Sequence, residues 1–283
     1  MKTIDCDPGE GGGGEELPPF SKWLFGWFMW YARRYLARNF HALRLLKGID
    51  GGPDRPAIEG EPVVFYSNHP GWWDPLTFLF TGHLLHPERM VYGPIDAGAL
   101  GKYRFLERIG LFGIEPGTWR GSARFLRMAR AAARRTDVIL WITAQGEFTD
   151  PRARPLVMRP GIGHAVAAMA RGLVVPFAVE YPFWNERCPE ALAAFGPAVR
   201  VADAPGRSAD EWTATLARGL EATQDRLAAA AMARDPAAFT TLLSGRVGVG
   251  AVYDAVRGLG ARLQGRPFDA SHGGEPRPAE GPR

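Results

Sequence analysis

The chain has 283 residues, carries 34 Lys and Arg against 30 Asp and Glu for a formal charge of +4, and is 46% hydrophobic. That length suits one large α/β domain with a sizeable core. The basic excess is mild and no run of basic residues interleaves with exposed aromatics, so composition does not argue for a nucleic-acid partner and none is expected.

The chain starts MKTIDCDPGE, acidic and followed by glycines, so no signal peptide is expected. Residues 1–19 and 266–283 are rich in Gly and Pro without apolar periodicity and are expected to be disordered tails. Residues 20–47 read FSKWLFGWFMWYARRYLARNFHALRLLK. Trp23, Trp27, Trp30 and Tyr31 recur on one helical face, and Arg33, Arg34, Arg38, Arg44 and Lys47 cluster behind them. The uncharged run from Trp23 to Ala32 is about half of the ~20 residues a spanning helix needs. Residues 20–50 are therefore expected to form an amphipathic helical segment at a membrane interface, where Trp and Tyr concentrate and arginine meets anionic lipid. The alternative is a helix packed on the domain core.

Residues 55–265 are expected to form the domain itself. After Glu61-Pro62 the run VVFYS reads as a buried strand, and Asp74-Pro75 opens a helix, PLTFLFTGHLLH, with Asp74 as its N-cap and Pro75 at the first position. Met90 to Gly93 is a short strand, Ala97 to Arg108 a helix, and Leu111 to Ile114 a short apolar piece. Gly117 or Thr118 opens the basic helix WRGSARFLRMARAAARR, and VILWIT is a second clear strand. A loop dense in Gly, Pro and charge follows, AQGEFTDPRARPLVMRPG, then the helix IGHAVAAMARG and a third buried strand, LVVPFAV. Pro197 to Val201 reads as a fourth strand, and Ser208 to Gln264 as an alanine-rich helical third. Strands alternating with helices predict an α/β fold: one domain with a mixed, largely parallel central sheet flanked by helices.

The chemistry concentrates in NHPGWWD, residues 68–74. His69 stands where a strand meets a loop, the usual address of a functional group in an open α/β sheet. Pro70 and Gly71 force a bend that can return Asp74 to the imidazole. An aspartate accepting from one ring nitrogen fixes the tautomer and makes the other nitrogen a base, suited to removing a proton from an alcohol. The plain alternative is a loop histidine beside a helix-capping aspartate.

This stretch resembles the Asn-His-x4-Asp signature of the glycerolipid acyltransferases, the superfamily that includes lysophosphatidic acid and glycerol-3-phosphate acyltransferases. The resemblance implies that His69 is the general base, Asp74 its orienting partner and an acyl thioester, acyl-CoA or acyl-carrier protein, the donor. The family's Glu-Gly-Thr-Arg block looks like Gln145-Gly146-Glu147-Phe148, with Arg152 or Arg154 supplying the missing cation. Its Lys-Lys-Gly stretch looks like Met158-Arg159-Pro160-Gly161, and its Val-Pro-Val strand like Val174-Val175-Pro176-Phe177. The Gly-x-x-Phe-x-x-Arg block is met by Gly110-Leu111-Phe112-Gly113, without the arginine; Arg120 or Arg124 is the nearest cation. The likeness spans about Val63 to Val179. It implies acceptor or phosphate contacts from Arg120, Gln145, Gly146, Glu147, Arg152, Arg154 and Arg159, a substrate pocket around Asn68, Gly71, Trp72, Trp73 and Pro176, and oxyanion donors among the backbone amides near Gly71 or Gly146. The acceptor is then a lysophospholipid or related lipid alcohol, and the place of action the cytoplasmic face of a membrane.

Rival readings remain. Arg127, Arg130, Arg134 and Arg135 read as a solvated helix face, and the Arg152 to Arg159 loop as either a phosphate clamp or an ordinary ion-paired surface loop. Trp72 and Trp73 either line an acyl channel or wedge the sheet edge. His83, His86 and His164 lie apart from any Cys or acidic cluster, and the two cysteines, Cys6 and Cys188, suggest neither a disulfide framework nor a zinc site and fit a reducing cytoplasm, so no metal or prosthetic group is implied. No Gly-x-Ser-x-Gly elbow follows a strand, which argues against a serine hydrolase, and no dinucleotide or triphosphate glycine motif is found. A non-enzymatic lipid-binding or scaffold protein on the same fold is the surviving alternative.

Overall fold

The β-branched and aromatic runs become strands covered on both faces, which is why they read as continuous apolar stretches. A computed structural model describes residues 16–48, 54–58 and 60–246. In chain order its helices are α1 (Lys22–Asn39), α2 (Asp74–Leu85), α3 (Ala97–Lys102), α4 (Trp119–Ala133), α5 (Gly161–Ala167) and α6 (Ala209–Ala233). Its strands are β1 (Ala42–Leu46), β2 (Val63–Ser67), β3 (Met90–Asp96), β4 (Leu111–Ile114), β5 (Val138–Thr143), β6 (Leu173–Glu180), β7 (Glu190–Phe195), β8 (Val199–Arg200) and β9 (Phe239–Ser244).

The sheet runs β4-β3-β5-β2-β6-β7-β1-β9, with β8 paired to β6. From β4 to β6 every neighbour is parallel, and so are β7 and β1; β6–β7, β1–β9 and β6–β8 are antiparallel. The expected mixed, mostly parallel sheet between helices is present. Period-two alternation sorts the core into two layers. Val63, Phe65, Ile139, Trp141, Val175 and Phe177 face α1 and α2. Val64, Tyr66, Leu140, Ile142 and Val174 face α4, α5 and α6.

Helix α1 begins at Ser21, whose hydroxyl accepts from the Leu24 amide. It buries Phe25, Met29, Ala32 and Leu36, while Trp23 (80% exposed), Trp27 (54%) and Trp30 (56%) look outward with Tyr31. At 100° per residue these two stripes lie roughly 180° apart, so the helix packs on the core and still presents a tryptophan face.

Several boundaries differ from expectation. The N-terminal helix was expected to continue towards Lys47 but stops at Asn39, and Ala42–Leu46 forms β1 between β7 and β9. Ala, Leu and Arg favour helices locally; burial between two strands overrides that preference, and buried Arg44 is met by Glu190 at 3.0 Å. Arg44 and Lys47 thus belong to the sheet region and not to the aromatic helix. Residues 16–19 are not a loose tail: Leu17 packs on the core and the Pro18 carbonyl accepts from the Tyr92 hydroxyl at 2.8 Å. Residues 1–15, 49–53, 59 and 247–283, including Cys6, the first fifteen residues of the expected N-terminal tail, the whole expected C-terminal tail and the end of the predicted C-terminal helix, lie outside the described residues. Before that, α6 stops at Arg234, which is left-handed at φ 52°, and Pro236 and the β-branched FTTLLS then give β9 in place of helix. The helix expected over Ala97 to Arg108 divides into α3 and a 3-10 turn, Arg104–Ile109. The strand expected over Pro197 to Val201 shrinks to β8, while β7, whose EALAAF reads as helical, is the longer strand.

Candidate active site

Three adjacent parallel strands, β5, β2 and β6, deliver the site from their carboxyl ends. The last in-register partner of β2 on β6 is Ser67 opposite Phe177. Beyond it Asn68 takes over with its side chain: Nδ2 donates to the Val179 carbonyl and Oδ1 accepts from the Val179 amide, both at 2.9 Å and fully buried. Asn68 is thus a clamp between two strands and not a pocket wall. Replacing Asn68 with Ala leaves two buried backbone groups of Val179 unpaired, and urea unfolding is expected to show a loss of about 2–4 kcal/mol.

The clamp fixes the direction in which His69 leaves the sheet. Its amide donates to Gln145 Oε1 at 3.0 Å, and its carbonyl accepts from the Thr149 amide at 2.9 Å. Both partners come from the loop after β5. Pro70 and Gly71 then turn the chain into α2, where Asp74 is the first helical residue and Trp73 occupies the cap.

Asp74 is fully buried. Its Oδ2 faces His69 Nδ1 at 2.5 Å and accepts from the Gly71 amide at 2.9 Å, while Oδ1 accepts from the Tyr181 hydroxyl at 2.6 Å. Asp74 therefore serves the histidine and does not cap its own helix. The helix N-terminus adds a favourable field for the carboxylate. A carboxylate on Nδ1 assigns the proton to that nitrogen and leaves the lone pair on Nε2, which has no partner among the described residues. The imidazole side chain is 16% exposed, and the exposed Phe148 ring meets it edge-on at 4.6 Å between centroids. Such a pair can take a proton from a group arriving at Nε2 and hold it as imidazolium against the carboxylate.

Compared with known proteins, the sequence matches no family model and no curated protein.

The expected acceptor residues separate into different fates. Gln145 is buried and holds the His69 backbone, a positioning role in place of ligand contact. The Gly146 amide donates to the Thr143 carbonyl at 3.2 Å, and that of Gly71 is engaged with Asp74, so neither is available as an oxyanion donor. The amides of Glu147 and Phe148, next along, have no acceptor among the described residues. Gly146 has φ +72°, and a Cβ there would lie 2.9 Å from Arg159 Cγ; glycine lets the Arg159 side chain lie across this loop. The exposed guanidinium of Arg159 has no partner among the described residues. Arg152 is held by Asp150 at 2.7 Å, and Arg154 by Glu221 and Asp225 of α6, so this pair is ion-paired loop structure and not a clamp. Arg120 sits over the Trp119 ring at the start of α4, which follows β4. That strand is three places from β2, about 14 Å across the sheet.

Pro176 is a buried interior residue of β6, opposite Tyr66. Trp73 wedges between Phe40 (4.9 Å) and Tyr35 (5.5 Å), and exposed Trp72 packs edge-on against it at 5.3 Å. With Trp27–Tyr31 and Tyr31–Tyr35 contacts at 6.4 and 5.6 Å, aromatic rings run without interruption from the outer face of α1 to the His69 loop. Pro75, directly after Asp74, opens a small apolar cleft of about 40 Å³ lined also by Phe78, Pro94, Leu111 and Trp141. Among the described residues no three His, Cys, Asp or Glu side chains gather into a metal-holding group.

Tyr181 and Phe148 were not singled out from sequence. Tyr181 directly follows the β6 run, and the carboxyl end of a central parallel strand was the signal that pointed to it.

Proposed function

We propose that this chain is a peripheral membrane O-acyltransferase moving a fatty acyl group from an acyl thioester to the hydroxyl of a lysophospholipid or related lipid alcohol. His69 Nε2 takes the hydroxyl proton as the oxygen attacks the thioester carbonyl, and Asp74 holds the imidazolium that results. The tetrahedral adduct then collapses with cleavage of the C–S bond, and the leaving thiolate takes the proton from His69 Nε2, returning the imidazole to its neutral form. The observation that carries this reading is the 2.5 Å contact between His69 Nδ1 and a fully buried Asp74 at the carboxyl edge of parallel strands, with Nε2 unpartnered among the described residues. The free amides of Glu147 and Phe148 are the donors nearest in sequence for an oxyanion.

The surroundings support a lipid substrate. The apolar cleft beside Asp74 has room for a few methylenes and not for a long acyl chain. The chain would therefore remain among lipids or on the aromatic surface of Tyr35, Trp73 and Trp72. No helix among the described residues is long and apolar enough to cross a membrane, and α1 instead offers tryptophans beside arginines. Its partners on this reading are acyl-CoA or acyl-carrier protein, a lipid acceptor and a membrane surface.

One observation favours the second reading, a lipid-binding or scaffold protein without turnover: both amides first expected to hold the oxyanion, Gly71 and Gly146, are already engaged. Thiol release from acyl-CoA and acyl-carrier protein, measured against lysophosphatidate, other lysolipids and neutral lipid alcohols on vesicles, separates the two. Release that depends on one acceptor supports the transferase; absence of release with every pair supports the scaffold.

A further inference from the structure

The carboxylate of Asp74 is shared. His69 and the Gly71 amide use Oδ2, and Tyr181, arriving from the end of β6, donates to Oδ1 at 2.6 Å. We infer that Tyr181 sets the basicity of His69, because its hydroxyl governs how much negative charge the buried carboxylate presents to the imidazole. This rests on the proposed role of His69 as a base and names the residue that tunes it.

The geometry holds the phenol in place from two sides. Its ring packs on Phe40 at 5.5 Å, and its oxygen lies 3.4 Å from Thr77 Oγ1. Burial, followed by the neighbouring Asp74 charge, pushes the phenol well above its ordinary value, so it stays protonated and keeps donating. A donor on Oδ1 spreads the carboxylate charge away from Oδ2. Without it, Asp74 attracts the imidazolium proton more strongly and the pair releases that proton at higher pH. Too basic an imidazole cannot accept a proton from substrate, so Tyr181 acts as a positioning residue that limits how strongly Asp74 holds the imidazolium proton.

Other ionisable groups lie on the elements around the pair. Glu180 of β6 is held above the ordinary carboxylate range by burial, partly offset by Arg152. The loop after β5 carries Glu147, the Asp150–Arg152 ion pair and Arg159. All of these are unchanged when only the phenol oxygen is removed, so the difference reports that oxygen.

The test is an NMR titration of His69 in full-length protein with isotope-labelled histidine, the resonance being assigned with a His69→Gln variant. Tyr181→Phe keeps the ring and is expected to raise the His69 midpoint by about half to one pH unit. The acid limb of kcat/KM for acyl transfer should move upward by the same amount. Replacing Tyr181 with 3-fluorotyrosine preserves shape and strengthens donation, and should lower the midpoint. Asp74→Asn, which removes the anion, should lower it further. A His69 midpoint that stays put in both Tyr181 variants, with unchanged unfolding midpoints, would overturn the inference. The titration needs no turnover, so failure of the base role, seen as full acyl transfer by His69→Ala, is read separately.

Discussion

Replacing Trp23, Trp27 and Trp30 together with glutamine is expected to weaken binding to vesicles containing anionic phospholipid by roughly 100-fold, with little change in the unfolding midpoint. Full burial of a large apolar side chain contributes about 1.5–3 kcal/mol, and half-immersion at an interface about half of that. Three tryptophans then contribute about 2–4.5 kcal/mol, centred on about 3, and each 1.4 kcal/mol is tenfold. Stability is spared because all three rings already face outward, while the core is held by Phe25, Met29, Ala32 and Leu36 on the opposite side of α1. Glutamine keeps helix propensity near that of the original residues. Arg34 and Arg38 share the tryptophan side, Arg34 stacking over Trp30 at 4.9 Å. Each arginine adds about 1 kcal/mol at an anionic surface, so binding should also fall with added salt. Sedimentation with vesicles checks both effects, and undiminished binding by the triple variant would show that this face does not meet lipid.

His69→Ala is expected to lower kcat for thioester-to-alcohol transfer by about 100- to 10,000-fold, the usual contribution of a positioned general base. Asp74→Asn should lose a similar factor, since an amide neither stabilises the imidazolium nor enforces the Nδ1–H tautomer. The two variants should differ in stability. The imidazole is partly exposed and makes one side-chain hydrogen bond, to Asp74, so its removal costs the fold less. Asp74 is fully buried and accepts from Gly71, Tyr181 and His69, so an amide in its place turns donors against donors and costs part of that network. Steady-state kinetics beside thermal unfolding would separate lost chemistry from lost structure.

Much of the site-bearing half of the fold was legible in the amino-acid sequence. VVFYS, VILWIT and LVVPFAV are β-branched, continuous and bounded by turn residues, and they became the adjacent strands β2, β5 and β6. The His69–Asp74 approach was readable too, because a Pro-Gly bend between a strand and a helix leaves few places for a residue five positions on. What was not legible is set at long range. β1 and β7 are made mostly of Ala, Leu, Glu and Arg, whose local preference is helical, and it is pairing with each other, with β9 and with β6, together with the Arg44–Glu190 bond, that makes them strands. The fate of the arginine loop depends on Glu221 and Asp225, more than sixty residues away in α6. Gln145 looked like a ligand-facing substitution, yet its amide oxygen is turned onto the His69 backbone, a contact that depends on how two loops meet.

The reading of His69 and Asp74 as a base pair for acyl transfer meets its most direct test in one measurement: mass spectrometry of the lipids recovered after full-length protein is incubated with labelled acyl-CoA or acyl-carrier protein and acceptor-loaded vesicles, wild type beside His69→Ala. A new labelled ester formed by the wild type and reduced at least 100-fold by the substitution is the predicted result. Equal labelling by the two proteins, or no labelled ester from the wild type with either donor, would contradict it.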